Sequence, residues 1–429
     1  MVLRATAPRS KFASILRGRR SSLWIFLSVV GPGIVVASAD NDAGGITTYS
    51  IAGAKFGFGL LWILFLTTFS LAVTQEMGAR MGIVTGKGLG GLIRERFGVR
   101  WTALAMLSLL IANFGSTAAD IAGIAASMEI FGISRYITVP IAAVGLFLLV
   151  WKGSFRRVEK VFLLSGGLYI AYVISGLLAH SDWLSALKAT VVPSFELNQD
   201  YVITFIATIG TTITPWGQFF IQSYCVDKRL RTEELNYERA DVYLGSFLTN
   251  FIAFFIVVAT AATLYVNHLS INDASDAAVA LEPLAGPFAA TLFAIGLVNA
   301  SLLGSATIPL STAYAVGEAF GFEAAIDKGF RGAPAFYSLY LAALVLTSLF
   351  VLIPGMPLVG VIFITQLVNG VLLPITLIFA LLIINDRRIM GRFTNGPVFN
   401  AIAWVTVVGL ILVSLLLVPV TLIQQFGGG

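Results

Sequence analysis

Apolar residues run in blocks of about 20 along this 429-residue chain, long enough to cross a hydrocarbon core as helices, with polar residues gathered between them. The pattern predicts eleven spans, at about 22–54, 57–77, 101–130, 136–151, 157–179, 201–226, 242–266, 285–314, 335–354, 357–385 and 399–423. The fold class it predicts is an all-α integral membrane protein, with one transmembrane domain over residues 1–429.

Two spans are interrupted at corresponding places. The first breaks near 40–45, in Ala39-Asp40-Asn41-Asp42-Ala43-Gly44-Gly45, and the sixth near 211–217, in Thr211-Thr212-Ile213-Thr214-Pro215-Trp216-Gly217. Five spans separate them, which predicts two five-helix repeats of opposite topology, about 22–179 and 201–385, plus an extra helix at 399–423. Paired interruptions in the first helix of each half point to a midplane transport site. Glycine lets the backbone unwind, and Pro215 removes a donor from the preceding turn. Carbonyls freed in this way must line a protein-walled or wet cavity, where they can coordinate a cation. Asp42 lies inside the first break, and a carboxylate at membrane depth is functional by default. Its structural alternative is a helix cap beside the glycines. Asp40 has two readings: a charge behind or above the site, or a cap on the first half-helix.

Composition strengthens the membrane reading. The chain is 57% hydrophobic and 11% charged, far below the quarter that keeps a soluble domain solvated. Of its 27 Lys and Arg residues, 24 fall in alternate connections, at 1–20, 80–100, 152–160, 228–239, 328–331 and 387–392. The positive-inside rule then predicts a cytoplasmic N-terminus and an extracytoplasmic C-terminus in the cell membrane. The net charge of +5 reflects loops facing anionic lipid, and nucleic acid is not an expected partner. Met1 to Arg20 is basic but leads into a full span, which argues against a cleaved signal peptide. Cys225 is the single cysteine, and His180 and His268 fall in predicted loops. A zinc cluster or a Ser-His-Asp site needs a convergence that these residues do not supply, so no enzyme is expected.

Several stretches resemble the NRAMP divalent metal transporters: Gly31-Pro32-Gly33, Gly53 to Trp62, Arg80 to Lys87, and Gln366 through Pro374 to Gly391. The resemblance covers almost the whole chain. It implies a LeuT-like fold working by alternating access, with divalent ions as cargo, no resident cofactor and no obligate protein partner.

Departures from the family pattern narrow the reading. The family's Asp-Pro-Gly-Asn falls on Asp42-Ala43-Gly44-Gly45, keeping the acid and losing the asparagine. Its Met-Pro-His falls on Thr214-Pro215-Trp216, losing both the thioether and the imidazole. An acidic trio falls on Asn113, Asp120 and Gly123, where only Asp120 survives, and the ninth span contains no arginine. A thioether favours transition metals, so a site built of oxygens suits harder ions. Gly45 in place of asparagine suggests a roomier cavity, fit for Mg²⁺ that keeps several waters. This pattern resembles the magnesium-transporting branch of the family, with Mn²⁺ as a second substrate. Trp216, Asn113 and Gly123 cannot titrate, which suggests transport without a coupled proton.

The resemblance also implies site residues. The Ala39 and Thr211 carbonyls match positions that face the ion, unless turn hydrogen bonds satisfy them. Gln366 matches a glutamine that approaches the ion, or makes an interhelical hydrogen bond. The Thr214 hydroxyl holds a water of the ion, or bonds back to its own helix. Gly44, Gly45, Pro215, Trp216 and Gln218 are expected to shape the cavity. Lys228 takes the place of a family basic residue; Asp120 is either a remnant of the acidic pathway or, the favoured reading, the partner of Lys228. The rivals are a proton-coupled Mn²⁺/Fe²⁺ carrier and, in another class, a sodium-coupled amino-acid-type permease. Asp42 would repel that permease's substrate carboxylate.

Overall fold

Proline at the first helical position has no N–H to leave unpaired, and Pro32 opens the first described helix, α1 (Pro32–Asp40), in this way. The computed structural model describes residues 31–151, 166–179, 181–324 and 329–426. Expectations placed on 22–30, 157–165, the basic segments 1–20 and 152–160, Lys328 and His180 lie outside the described residues.

Among the described residues every element is helical. After α1 come α2 (Ala43–Phe56), α3 (Leu61–Thr85), α4 (Leu89–Phe97), α5 (Val99–Ile130) and α6 (Arg135–Trp151). Next are α7 (Ile170–Leu178), α8 (Trp183–Val191), α9 (Gln199–Thr212), α10 (Pro215–Asp227) and α11 (Leu235–Thr263). The chain ends in α12 (Ala289–Phe320), α13 (Pro334–Val351), α14 (Leu358–Ile384) and α15 (Pro397–Phe426), with short helical turns in the connections. Helices α3, α5 and α11 to α15 are each long and apolar enough to span a membrane. The other four expected spans are broken or short: α1 with α2, α9 with α10, the unbroken but only 17-residue α6, and α7, whose N-terminal side lies outside the described residues. Helix length alone therefore does not yield the count of eleven.

Both interruptions are narrower than the sequence suggests. Only Asn41 and Asp42 separate α1 from α2, and only Ile213 and Thr214 separate α9 from α10. Gly44 and Gly45 do not unwind; they form the first turn of α2, because the Asp42 carboxylate accepts a hydrogen bond from Gly45 N at 2.8 Å and caps it. The second break is built alike, with Thr214 accepting from Gly217 N at 3.2 Å and Pro215 at the first helical position. Span two runs past its apolar block to Thr85, carrying Glu76 and Arg80 into the buried interior.

Helix α11 lies along α1, α2 and α3, and α5 packs between α12 and α14, so both broken pairs are enclosed by the bundle. Large apolar side chains such as Phe69, Leu346 and Val405 are exposed on its outside, as a lipid-facing surface requires.

Candidate functional site

Three carboxylates are buried around the two breaks without converging on one point. Asp40, Asp42 and Asp120 are each at most 3% exposed, and no Lys, Arg or His among the described residues pairs with any of them. Two hold the N-terminus of α2: Asp42 accepts from Gly45 N, and Asp120, reaching over from α5, accepts from Ala43 N at 3.3 Å. Carboxylates are favoured at the positive end of a helix, which helps keep both in place. Asp40 ends α1, and its Oδ1 accepts from the Thr214 hydroxyl at 3.1 Å. Thr214 thereby ties one break to the other while capping α10. Nearby, Tyr169 donates to the Asn41 carbonyl at 2.7 Å, and the Tyr49 and Thr212 hydroxyls lie 2.9 Å apart.

Two carbonyls are freed for identifiable reasons. The helical partner of the Thr211 carbonyl would be the amide of residue 215, but proline carries no N–H. The partner of the Ala39 carbonyl would be Ala43 N, but that N–H points to Asp120. Among the described residues, no turn or side-chain hydrogen bond ends on either oxygen. Both carbonyls lie at helix C-termini, the negative ends of the α1 and α9 dipoles. Asp40 Oδ2, Asn41 Oδ1, Asp120 Oδ2 and Thr211 Oγ1 are buried acceptors with no hydrogen-bond partner. The region is thus rich in unpartnered oxygen acceptors, as a cation site requires. Among the described residues, no three His, Cys, Asp or Glu side chains converge as a metal-ligand cluster. A cation here would be met by carbonyls, one or two carboxylates and water.

The remaining predicted residues fall in different places. Gln366 lies against Gly44, beside the first break; its amide donates to the Thr365 hydroxyl at 3.3 Å and accepts from Asn369 Nδ2 at 2.9 Å, so both bonds stay within α14. Trp216 is fully buried, its carbonyl accepting from Ser311 at 2.9 Å and its ring 6.0 Å from that of Phe220. Gln218 donates to Thr74 at 3.4 Å and ties α10 to α3. Asn113 donates to Thr312 at 2.8 Å and ties α5 to α12.

Three expectations need correction. Asp120 does not pair with Lys228: its Oδ1 is taken by Ala43 N and its Oδ2 has no partner, while Lys228 lies beside Gly31 and 5.5 Å over the Tyr224 ring. The Thr214 hydroxyl does not bond back to a carbonyl one turn earlier, the alternative to its holding a water; it donates to Asp40 while accepting from Gly217 N. Gly45 does not widen the cavity in this conformation, because a Cβ there would lie 2.8 Å from the Asp40 carbonyl oxygen. The cleft at Asp40, lined also by Val36, Leu71 and Gln75, has no room for a water, so this approach to Asp40 is closed. Gly123 is packed equally hard: a Cβ there would meet Ala43 Cβ at 2.5 Å, leaving no space for an acid.

Sequence reasoning left Asp40 undecided and did not single out Tyr49, Tyr169 or Thr212. The polar run Asp40-Asn41-Asp42 was the available signal for Asp40; the tyrosines reach the site only through tertiary packing.

A family model described as natural resistance-associated macrophage protein-like matches residues 33–419. A divalent metal cation transporter MntH of Verminephrobacter eiseniae is 26% identical over 429 residues, covering 96% of this chain and 93% of that protein. The MntH of Ralstonia nicotianae is 30% identical over 404 residues, covering 88% and 87%. The crystal structure of a manganese transporter of Eremococcus coleocola superposes with a TM-score of 0.79 at 19% identity, covering 96% of this chain and 90% of that one. At that identity the likeness is one of fold, and the fold is the LeuT-like one that the sequence suggested.

Proposed function

We propose that this chain, which belongs to the Nramp family, carries divalent metal cations across the membrane by alternating access, with Mg²⁺ as first substrate and Mn²⁺ as second, and without a coupled proton. The observation that carries the reading is the donor set. Asp42, Asp40, Asp120 and the freed Ala39 and Thr211 carbonyls offer oxygen only, with Thr214 where a thioether would favour transition metals. Mg²⁺ keeps several waters and takes one or two carboxylates, which fits a site without a convergent ligand cluster. On this reading the closed cleft is one state of a cycle in which the two repeats rock apart to admit the hydrated ion, Gln366 approaching it as they close. With the N-terminus in the cytoplasm, inward movement of a divalent ion gains about 4.6 kcal/mol per 100 mV of inside-negative potential. That supplies a driving force without a proton.

A second reading, proton-coupled Mn²⁺ transport, is favoured by the relatives, whose names specify divalent metal cation or manganese transport. Against it stand Trp216 and Asn113, which cannot titrate, and Gly123, where packing leaves no room for an acid. Proteoliposomes loaded with a Mg²⁺-sensitive dye and, separately, a pH-sensitive dye decide between them. The proposed function requires saturable Mg²⁺ entry with no metal-dependent acidification. Mn²⁺ entry with acidification and no Mg²⁺ entry would establish the second reading instead.

A further inference from the structure

A cleft far from the transport site carries its own chemistry. It opens where α14 ends and α15 begins, has a volume of about 640 Å³, and is lined by Arg96, Leu382, Asp386, Arg387, Arg388 and Trp404 among others. Three arginines face one carboxylate. Asp386 takes part of that charge, with Oδ2 2.6 Å from Arg96 Nε and Oδ1 accepting from Arg388 N at 2.9 Å. The Arg387 and Arg388 guanidinium groups make no ion pair among the described residues, and both side chains are exposed. The Arg388 amide and the Arg96 guanidinium together hold the Asp386 carboxyl below the usual carboxylate range, so it stays ionised and positions Arg96 rather than neutralising the whole cleft.

The rest of the lining is mixed, with Asn385 and Asn400 beside the apolar Leu381, Leu382 and Trp404. Trp404 is seven residues into α15, about 10 Å along a helix from Pro397. It is 41% exposed and Leu382 is 44% exposed, while Trp101, at the start of the adjacent α5, is 54% exposed. Exposed tryptophans near the ends of spans mark the headgroup level of a bilayer. Guanidinium donors thus share the cleft with an exposed indole and an exposed leucine. Free inorganic phosphate would use only the guanidinium part of this arrangement.

We propose that this cleft binds one anionic phospholipid, its phosphate held by Arg387 and Arg388 and the upper part of an acyl chain laid over Leu382 and Trp404. Guanidinium suits this task because its planar fork offers paired donors to phosphate oxygens. The site is independent of which ion the transporter carries.

The test is native mass spectrometry of the full chain, titrated in detergent with phosphatidylglycerol or phosphatidylcholine. R387Q/R388Q is expected to weaken phosphatidylglycerol binding about thirty-fold, at about 1 kcal/mol per arginine, and to leave phosphatidylcholine binding unchanged. R392Q, which removes an arginine that does not line the cleft, is expected to retain wild-type binding. W404A, which keeps every charge, should weaken phosphatidylglycerol binding as well. Thermal melts establish that each variant is folded. Equal phosphatidylglycerol retention by wild type and R387Q/R388Q overturns the proposal, as does an equal loss in R392Q, which would mark a diffuse charge effect. Displacement of bound lipid by millimolar inorganic phosphate overturns it too, assigning the arginines to a free anion.

Discussion

Glu76 and the three carboxylates at the breaks are buried alike, and they are treated in opposite ways. Glu76, on α3, is 1% exposed and is gripped by two guanidinium groups, with Arg80 Nη2 at 2.9 Å and Arg239 Nε at 2.7 Å. Arg80 then donates to the Phe393 carbonyl at 2.9 Å and the Thr394 carbonyl at 3.2 Å, joining α3 to the segment before α15, while Arg239 joins it to α11. Asp40, Asp42 and Asp120 are buried as deeply but answered only by hydroxyls and backbone amides. A buried carboxylate with a matched cation holds a structure together. One left without a cation keeps its field for something that arrives. The difference separates the acids that fasten the bundle from those proposed to handle cargo.

Substituting each kind of acid by its amide puts the comparison at risk. Glu76→Gln leaves Arg80 buried beside a neutral partner, and breaking a buried pair in this way costs about 3–5 kcal/mol. We expect a large fall in the thermal midpoint of the purified protein; an unchanged midpoint would mean that the network fastens nothing. Asp42→Asn is expected to behave in the reverse manner. Asparagine caps a helix about as well as aspartate, so stability should move by less than about 1 kcal/mol. Mg²⁺ flux into proteoliposomes should nonetheless fall about thirty-fold, the equivalent of about 2 kcal/mol. Destabilisation of Asp42→Asn to the level of Glu76→Gln, with flux per folded molecule unchanged, would reduce Asp42 to a cap.

How much of this was legible in the sequence depends on distance along the chain. Apolar blocks reveal spans because each is local, and α3, α5 and α11 to α15 answer them directly. The freed Thr211 carbonyl was readable too, since Pro215 four residues on cannot donate. The freed Ala39 carbonyl was expected only through the family resemblance, because its partner amide is diverted by Asp120, 77 residues beyond Ala43. The bridge from Asp40 to Thr214 spans 174 residues, and no periodicity points across such an interval. The mistaken pairing of Asp120 with Lys228 has the same origin. Opposite charges suggested a partner, while the structure gave Asp120 a backbone amide at a helix N-terminus. The narrowness of the first break is not legible, because Gly44 and Gly45 suggest unwinding whereas Asp42 caps them into a helix.

Thr214 provides the finest test, because it belongs to both sides of the comparison. Its hydroxyl caps α10 as a structural residue would, and it donates to Asp40, one of the three acids without a cation. Thr214→Ala removes both bonds. Loss of the cap should cost about 1 kcal/mol of stability, the usual penalty for truncating a capping threonine. Loss of the donor leaves both Asp40 oxygens unpartnered in the closed state, which should disfavour closure and slow Mg²⁺ flux beyond what the stability change explains. Thr214→Ser keeps the hydroxyl and is expected to restore both properties to near wild type. A serine variant that restores stability but not flux would show that the buried threonine methyl matters more than the bridge. An alanine variant with unchanged flux would show that Asp40 needs no partner when the site closes.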